Sequence, residues 1–149
     1  MQLSLEDIEH LIASKESKSL EFKETTGQLT RGMETGCAFM NSPSGGYLLF
    51  GINDKGKIIG QEVSDKTQKE IAGALRRFEP TVLVDVAYVP IPAHENKCVI
   101  VIHFEDAFNK KPYLFDGRAY IKIESTTSVM SQEAYNELLM NRHKEQFRW

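Results

Sequence analysis

Apolar and polar positions recur along this chain with two different periods, and the switches between them divide it into elements. Leu5, Ile8, Leu11 and Ile12 fall at helical spacing behind Ser4, a side chain suited to capping, so Leu3–Ser14 is predicted to be an amphipathic helix with one buried stripe. Ser17–Lys23 alternates instead: Leu20 and Phe22 face one way and Ser19, Glu21 and Lys23 the other, the mark of a half-buried strand. Helical spacing returns over Leu29–Asn41 with Leu29, Met33, Cys37 and Met40, while Gly32, Gly36 and Ala38 permit close packing. The turn-forming cluster Asn41-Ser42-Pro43-Ser44-Gly45-Gly46 ends that helix. It leads into Tyr47–Ile52, apolar at nearly every position and therefore expected to be buried on both faces. Asn53-Asp54-Lys55-Gly56 and Lys57–Gly60 complete a predicted hairpin.

Ser64 begins a helix to about Phe78, closed by the basic pair Arg76 and Arg77 and stopped by Pro80. Thr81–Val89 and Lys97–Phe104 are β-branched runs separated by Pro90-Ile91-Pro92, and Arg118–Ile123 alternates after the Asp116-Gly117 turn. A last helix starts near Ser131 and carries Ala134, Leu138 and Leu139. Helices interleaved with strands predict an α+β fold, a mixed sheet of about six strands with three to four helices packed on it.

Composition narrows the function classes. The chain has 149 residues, 41% hydrophobic and 26% charged, which is one domain's worth of ordinary globular sequence and excludes disorder and fibrous repeats. Residues 1–149 are read as a single domain, the N-terminal part of a longer regulator being one form that the parent protein could take. A formal charge of −3 argues against a surface that attracts polyanions everywhere, so a nucleic-acid partner requires a local basic face. Cys37 and Cys98 lie in apolar surroundings without CxxC spacing, which suits a reducing, cytoplasmic setting. Glu6, Asp7 and Glu9 are unlike a secretory leader, and the apolar run Cys98–Ile102 is far too short to cross a bilayer, so no membrane partner is expected.

The pattern richest in chemistry is Glu21-Phe22-Lys23. On a strand, alternation sets this carboxylate and ammonium on one face, where the acid can hold Mg²⁺ and the lysine can steady a phosphoryl charge or activate water. Glu16, before the strand, and Asp54, in the hairpin turn, are the candidates for the further acids. An ordinary one-sided strand and an ordinary turn aspartate account for the same residues. Asn41–Gly46 can form an anion-binding nest or simply let the chain leave a helix for a buried strand. No GxxxxGK[ST] or GxGxxG is present, so ATP and dinucleotide binding have no motif. For polyanion binding the candidates are Arg31, Arg76, Arg77, Lys110, Lys111, Arg118 and Lys122, with Tyr113 and Tyr120 interleaved as stacking platforms. Solvated loops and helix dipoles explain several of these equally well. The four histidines show no zinc spacing, and no Gly-x-Ser-x-Gly elbow supports a serine hydrolase.

Several of these segments, taken in order, resemble the Schlafen AlbA_2 domain, also called divergent AAA-4. They are Glu16-Ser17 with Leu20-Glu21-Phe22-Lys23, then Ala38-Phe39-Met40-Asn41-Ser42, Gly45 through Asp54 and Ile58-Ile59-Gly60, and last Lys111-Pro112-Tyr113 and Tyr120 through Thr127. The resemblance spans about Glu16 to Leu139. It departs at the closing turn, where Lys122 and Glu124 stand at the Arg and Gly of the family's Arg-x-Gly-Ser. Bacterial members are regarded as DNA-binding portions of transcriptional regulators. In the animal Schlafen branch, two glutamates, an aspartate and a lysine form a metal-dependent RNA endonuclease site, and the matching positions are Glu16, Glu21, Asp54 and Lys23. The resemblance implies no ATPase activity. Three readings follow: a nucleic-acid-binding module for DNA or RNA that resembles the DNA-binding domain of a transcriptional regulator; a Mg²⁺- or Mn²⁺-dependent endoribonuclease; or a protein-interaction domain that pairs as a homodimer.

Overall fold

Val99, Ile100, Val101, Ile102 and Phe104 are all fully buried, and the strand that carries them organises the architecture. The computed structural model describes residues 2–14, 19–107 and 110–146, with side chains through 142. In chain order the elements are α1 (Leu5–Ala13), β1 (Leu20–Lys23), a 3-10 turn (Thr26–Gln28), α2 (Leu29–Met40), β2 (Gly46–Phe50), β3 (Gln61–Glu62) and α3 (Asp65–Leu75). They continue with β4 (Phe78–Glu79), β5 (Val86–Pro90), β6 (Lys97–Phe104), β7 (Leu114–Phe115), β8 (Tyr120–Ile123), β9 (Thr126–Val129) and α4 (Gln132–Gln146).

β6 pairs antiparallel with β2 and β3 along one side and with β5 along the other, and β2 pairs parallel with the edge strand β1. This mixed five-stranded sheet, two small sheets (β4–β7 and β8–β9) and four helices make the α+β fold that the patterning predicts. Strand alternation sorts the core to two faces. Leu48, Phe50, Ile100, Ile102 and Phe104 pack under α2 and α3, and Leu20, Phe22, Leu49, Val99 and Val101 pack against Ile8 of α1. Both predicted caps form: Ser4 and Ser64 accept the N–H groups of Asp7 and Thr67.

The small residues of α2 let it sit directly on the sheet. A Cβ on Gly36 would run into the Phe104 ring, and one on Gly46 would lie 2.5 Å from Phe39. The glycines of the Asn41–Gly46 cluster thus serve the approach to a buried strand. Asn41, the C-cap of α2, acts as a clamp: its Oδ1 accepts the Tyr113 N–H at 2.7 Å and its Nδ2 donates to the carbonyls of Tyr113 (3.1 Å) and Tyr120 (2.9 Å).

Four elements differ from expectation. The Tyr47–Gly60 hairpin is reduced to a bridge between Ile52 and Ile58, because β2 is already paired on both sides and the Gly51 carbonyl accepts the N–H groups of Ile59 and Gly60, folding the segment back on itself. The strand predicted over Thr81–Val89 starts only at Val86, which pairs with Ile102 of β6. The helix predicted to Phe78 stops at Leu75, and Phe78 instead pairs with Phe115. Of the strand expected over Ser17–Lys23, Leu20–Lys23 forms, while Ser17 and Lys18 lie outside the described residues.

Candidate nucleic-acid interface

Because Leu20 and Phe22 take the core face of β1, Glu21 and Lys23 project from its other face, toward α2. The β8–β9 hairpin docks across α2 from the opposite end of the sequence. It is held by the Thr35 and Thr127 hydroxyls at 2.8 Å and by the Tyr120 phenol, which donates to Glu34 at 3.1 Å. Burial, and next the Glu34 carboxylate, raise the pKa of that phenol, which keeps it a donor.

This docking carries Lys122 over the Phe39 ring, with Nζ 5.3 Å from its centroid. Lys122 Nζ then donates to Glu21 Oε1 at 2.9 Å, and Lys23 Nζ stands 3.3 Å from Glu21 Oε2. The Lys122 side chain is only 2% exposed, against 13% for Glu21 and 16% for Lys23. Two ammonium groups therefore converge on one carboxylate in a largely desolvated setting, where charges interact more strongly than at an open surface. Two exposed cations lie on neighbouring segments: Arg31 of α2, one helical turn before Thr35, and Arg118, just before β8, whose charge acts on Tyr120.

Asp54 is exposed in the Asn53–Gly56 turn, where Gly56 abuts Ile12 of α1. Glu16 is outside the described residues. Among the described residues, no three His, Cys, Asp or Glu side chains gather as a metal site. Arg77 grips Asp116 through Nε at 2.8 Å and lies 4.8 Å from the centre of the Phe115 ring, and this hydrogen bond holds the Asp116 carboxyl below its ordinary pKa. Arg76 is the exposed C-cap of α3. Lys110 is exposed, whereas Lys111 pairs with Asp106 at 2.6 Å and donates to the Ser42 carbonyl at 3.1 Å, tying a loop to the end of α2. Tyr113 is 4% exposed and packs in the core, its phenol donating to the Thr81 carbonyl at 3.4 Å, so its ring has no open face for a base.

A family model described as Schlafen, AlbA_2 matches residues 16–131. The chain belongs to the Schlafen AlbA_2 family. No curated protein matches its sequence. Among solved structures, the N-terminal domain of a RecG-related protein from Nitrosomonas europaea is 28% identical with a TM-score of 0.59, covering 88% of this chain and 97% of that domain. The DIP2311 protein from Corynebacterium diphtheriae shares the fold at 21% identity and a TM-score of 0.61, with 93% of this chain covered. The chain spans 33% of that protein's length.

Within this Schlafen AlbA_2 domain, the two departures in the closing turn have separate structural places. Lys122, at the family's arginine position, is the buried partner of Glu21. Glu124, at the glycine position, adopts φ 57°, the left-handed conformation that favours glycine. The contacts of Glu34, Thr35 and Thr127 had no signal in the local sequence beyond Thr127 lying in the closing motif.

Proposed function

We propose that this chain is a nucleic-acid-binding module that holds the sugar-phosphate backbone at the junction of α2, β1 and the β8–β9 hairpin, as the DNA-binding part of a transcriptional regulator would. The observation that carries the reading is the convergence of Lys23 and Lys122 on Glu21, with Arg31 of α2 and Arg118, just before β8, both exposed. Buried Lys122 and half-buried Lys23 shape the surface, and exposed arginines supply the forked donors that suit phosphate. The family, and a structural relative named for its relation to the DNA helicase RecG, support a nucleic-acid partner. Fluorescence anisotropy with single-stranded DNA, duplex DNA and RNA tests it. Arg31→Gln and Arg118→Gln are each expected to weaken binding about threefold or more, uniformly across sequences. Failure to bind at low salt, or equal losses from Arg76→Gln and Lys110→Gln, would contradict this site.

A metal-dependent endoribonuclease using Glu16, Glu21, Asp54 and Lys23 is the rival, favoured by the Glu21–Lys23 contact. The described residues do not fit a divalent cation as they stand, since both Glu21 oxygens face ammonium groups. A calorimetric Mn²⁺ titration of wild type beside Glu21→Gln separates the two: metal binding lost in the variant supports the nuclease.

A further inference from the structure

We propose that the cleft where β5 and β6 part is a binding site for a free nucleoside whose base presents two adjacent N–H donors, the edge of guanine. It uses no residue of the junction of α2, β1 and the β8–β9 hairpin, so it stands apart from the nucleic-acid reading. The β5–β6 ladder ends where Val86 meets Ile102. Ahead of that point burial still alternates, with Val82 and Val84 packed on the core under α2 and Leu83 96% exposed, so the chain runs on extended. Among the described residues, no backbone hydrogen bond joins 82–84 to 104–106. The resulting fork is pinned rather than frayed. The Thr81 carbonyl accepts the Tyr113 phenol at 3.4 Å, and Ala107 donates its N–H to the Met40 carbonyl at 3.4 Å. A cleft of about 860 Å³ opens there, a size that takes a small organic ligand.

Its lining selects that ligand. Met40, Val82, Val84 and Ala107 make part of the cleft apolar. Tyr47 and His103, register partners on β2 and β6, stack with ring centroids 4.2 Å apart and planes 9° from parallel. Both rings are half-buried and both line the cleft, so a further flat ring has a stack to join. The β5–β6 register, carried one residue further, sets Asp85 next to His103, and Glu105 shares the strand parity of His103. Carboxylates accept and do not donate, so beside a stacked base they call for N–H groups. Guanine offers its ring N–H and exocyclic amino group side by side, matched to the two oxygens of one carboxylate, whereas adenine and cytosine set an acceptor beside their amino group. Charge excludes the phosphorylated form. Among the described lining residues, Asp85, Glu105 and Asp106 stand against the ammonium of Lys110, and Lys111 is already paired with Asp106.

Amide NMR spectra of the full 149-residue chain, titrated with guanosine, provide the test. Guanosine should shift the amides of Tyr47, Val84, His103 and Glu105 and saturate below about 1 mM. Inosine, which lacks the exocyclic amino group, should bind at least about fivefold more weakly, and guanosine monophosphate should bind no more tightly than guanosine. Asp85→Asn with Glu105→Gln should weaken guanosine at least about tenfold, with amides remote from the cleft unmoved. The guanosine–inosine comparison is made on wild type, so it decides the matter even where the double variant fails to fold. Absence of shifts at about 1 mM guanosine overturns the proposal. So do shifts centred outside the cleft, equal affinity for inosine, tighter binding of the monophosphate, or a folded double variant that binds as wild type does.

Discussion

Replacing Glu21 by glutamine removes the carboxylate that Lys23 and Lys122 share while keeping the side chain's shape. The cost follows from burial: Lys122 is 2% exposed with its ammonium 2.9 Å from Glu21, whereas Lys23, at 16%, can turn toward water. Breaking a buried pair by removing one partner costs about 3–5 kcal/mol, and the remaining amide oxygen can still accept one lysine hydrogen bond worth about 1 kcal/mol. Glu21→Gln is therefore expected to lose about 2–4 kcal/mol, which for a chain of this size lowers Tm by about 6–14 °C. Lys122→Met should cost less, since its thioether can rest on the Phe39 ring and Glu21 keeps Lys23. The double variant should fall short of the sum by about 2 kcal/mol, because its second change removes the stranded charge left by the first. Urea unfolding followed by far-UV circular dichroism at neutral pH reads all four corners of the cycle. A loss below about 0.5 kcal/mol for Glu21→Gln, or simple additivity, would refute the coupling.

Asn41→Ala should destabilise the fold by about 2–4 kcal/mol by urea unfolding, since it strands the buried Tyr113 N–H and the Tyr113 and Tyr120 carbonyls together. Glu124→Gly should stabilise it by about 0.5–1 kcal/mol in the same assay, because relief of the left-handed backbone outweighs the entropy that glycine loses. Burial pushes the Cys37 thiol up to about 12, so in the folded state it stays protonated while an unfolded chain ionises near 9.0. Stability should accordingly be undiminished by this group below pH 9.0 and fall as pH rises from there toward about 12, a decline that Cys37→Ala loses. At pH 8, a thiol reagent should modify half-buried Cys98 well before Cys37.

The central strands and caps were legible because one local signal decided each of them. Continuous apolar runs made Tyr47–Ile52 and Lys97–Phe104 buried strands, and Ser4 and Ser64 marked helix starts. Pairing was less legible, since a turn of four residues after Ile52 says nothing about whether β2 already has partners on both sides. The site was half legible. Alternation correctly set Glu21 and Lys23 on one face of β1, but it would turn Ile121 and Ile123 inward on β8, whereas Tyr120 and Lys122 face α2 and Ile123 is 62% exposed. A lysine pointing inward is stable only against a carboxylate brought from 101 residues away, a contact that no local pattern encodes. Lys111 and Tyr113 show the related point that loop sequence does not reveal what a loop ties down.

The salt dependence of polyanion binding tests the central claim most directly. Plots of log affinity against log salt between about 50 and 200 mM, for wild type, Arg31→Gln with Arg118→Gln, and Glu21→Gln, read the number and sign of charges at the junction. The account predicts that the double arginine variant loses about two units of slope and that Glu21→Gln, while folded, binds more tightly than wild type because a negative charge has left the surface. Unchanged slopes in the arginine variant, or weaker binding by folded Glu21→Gln, would contradict it.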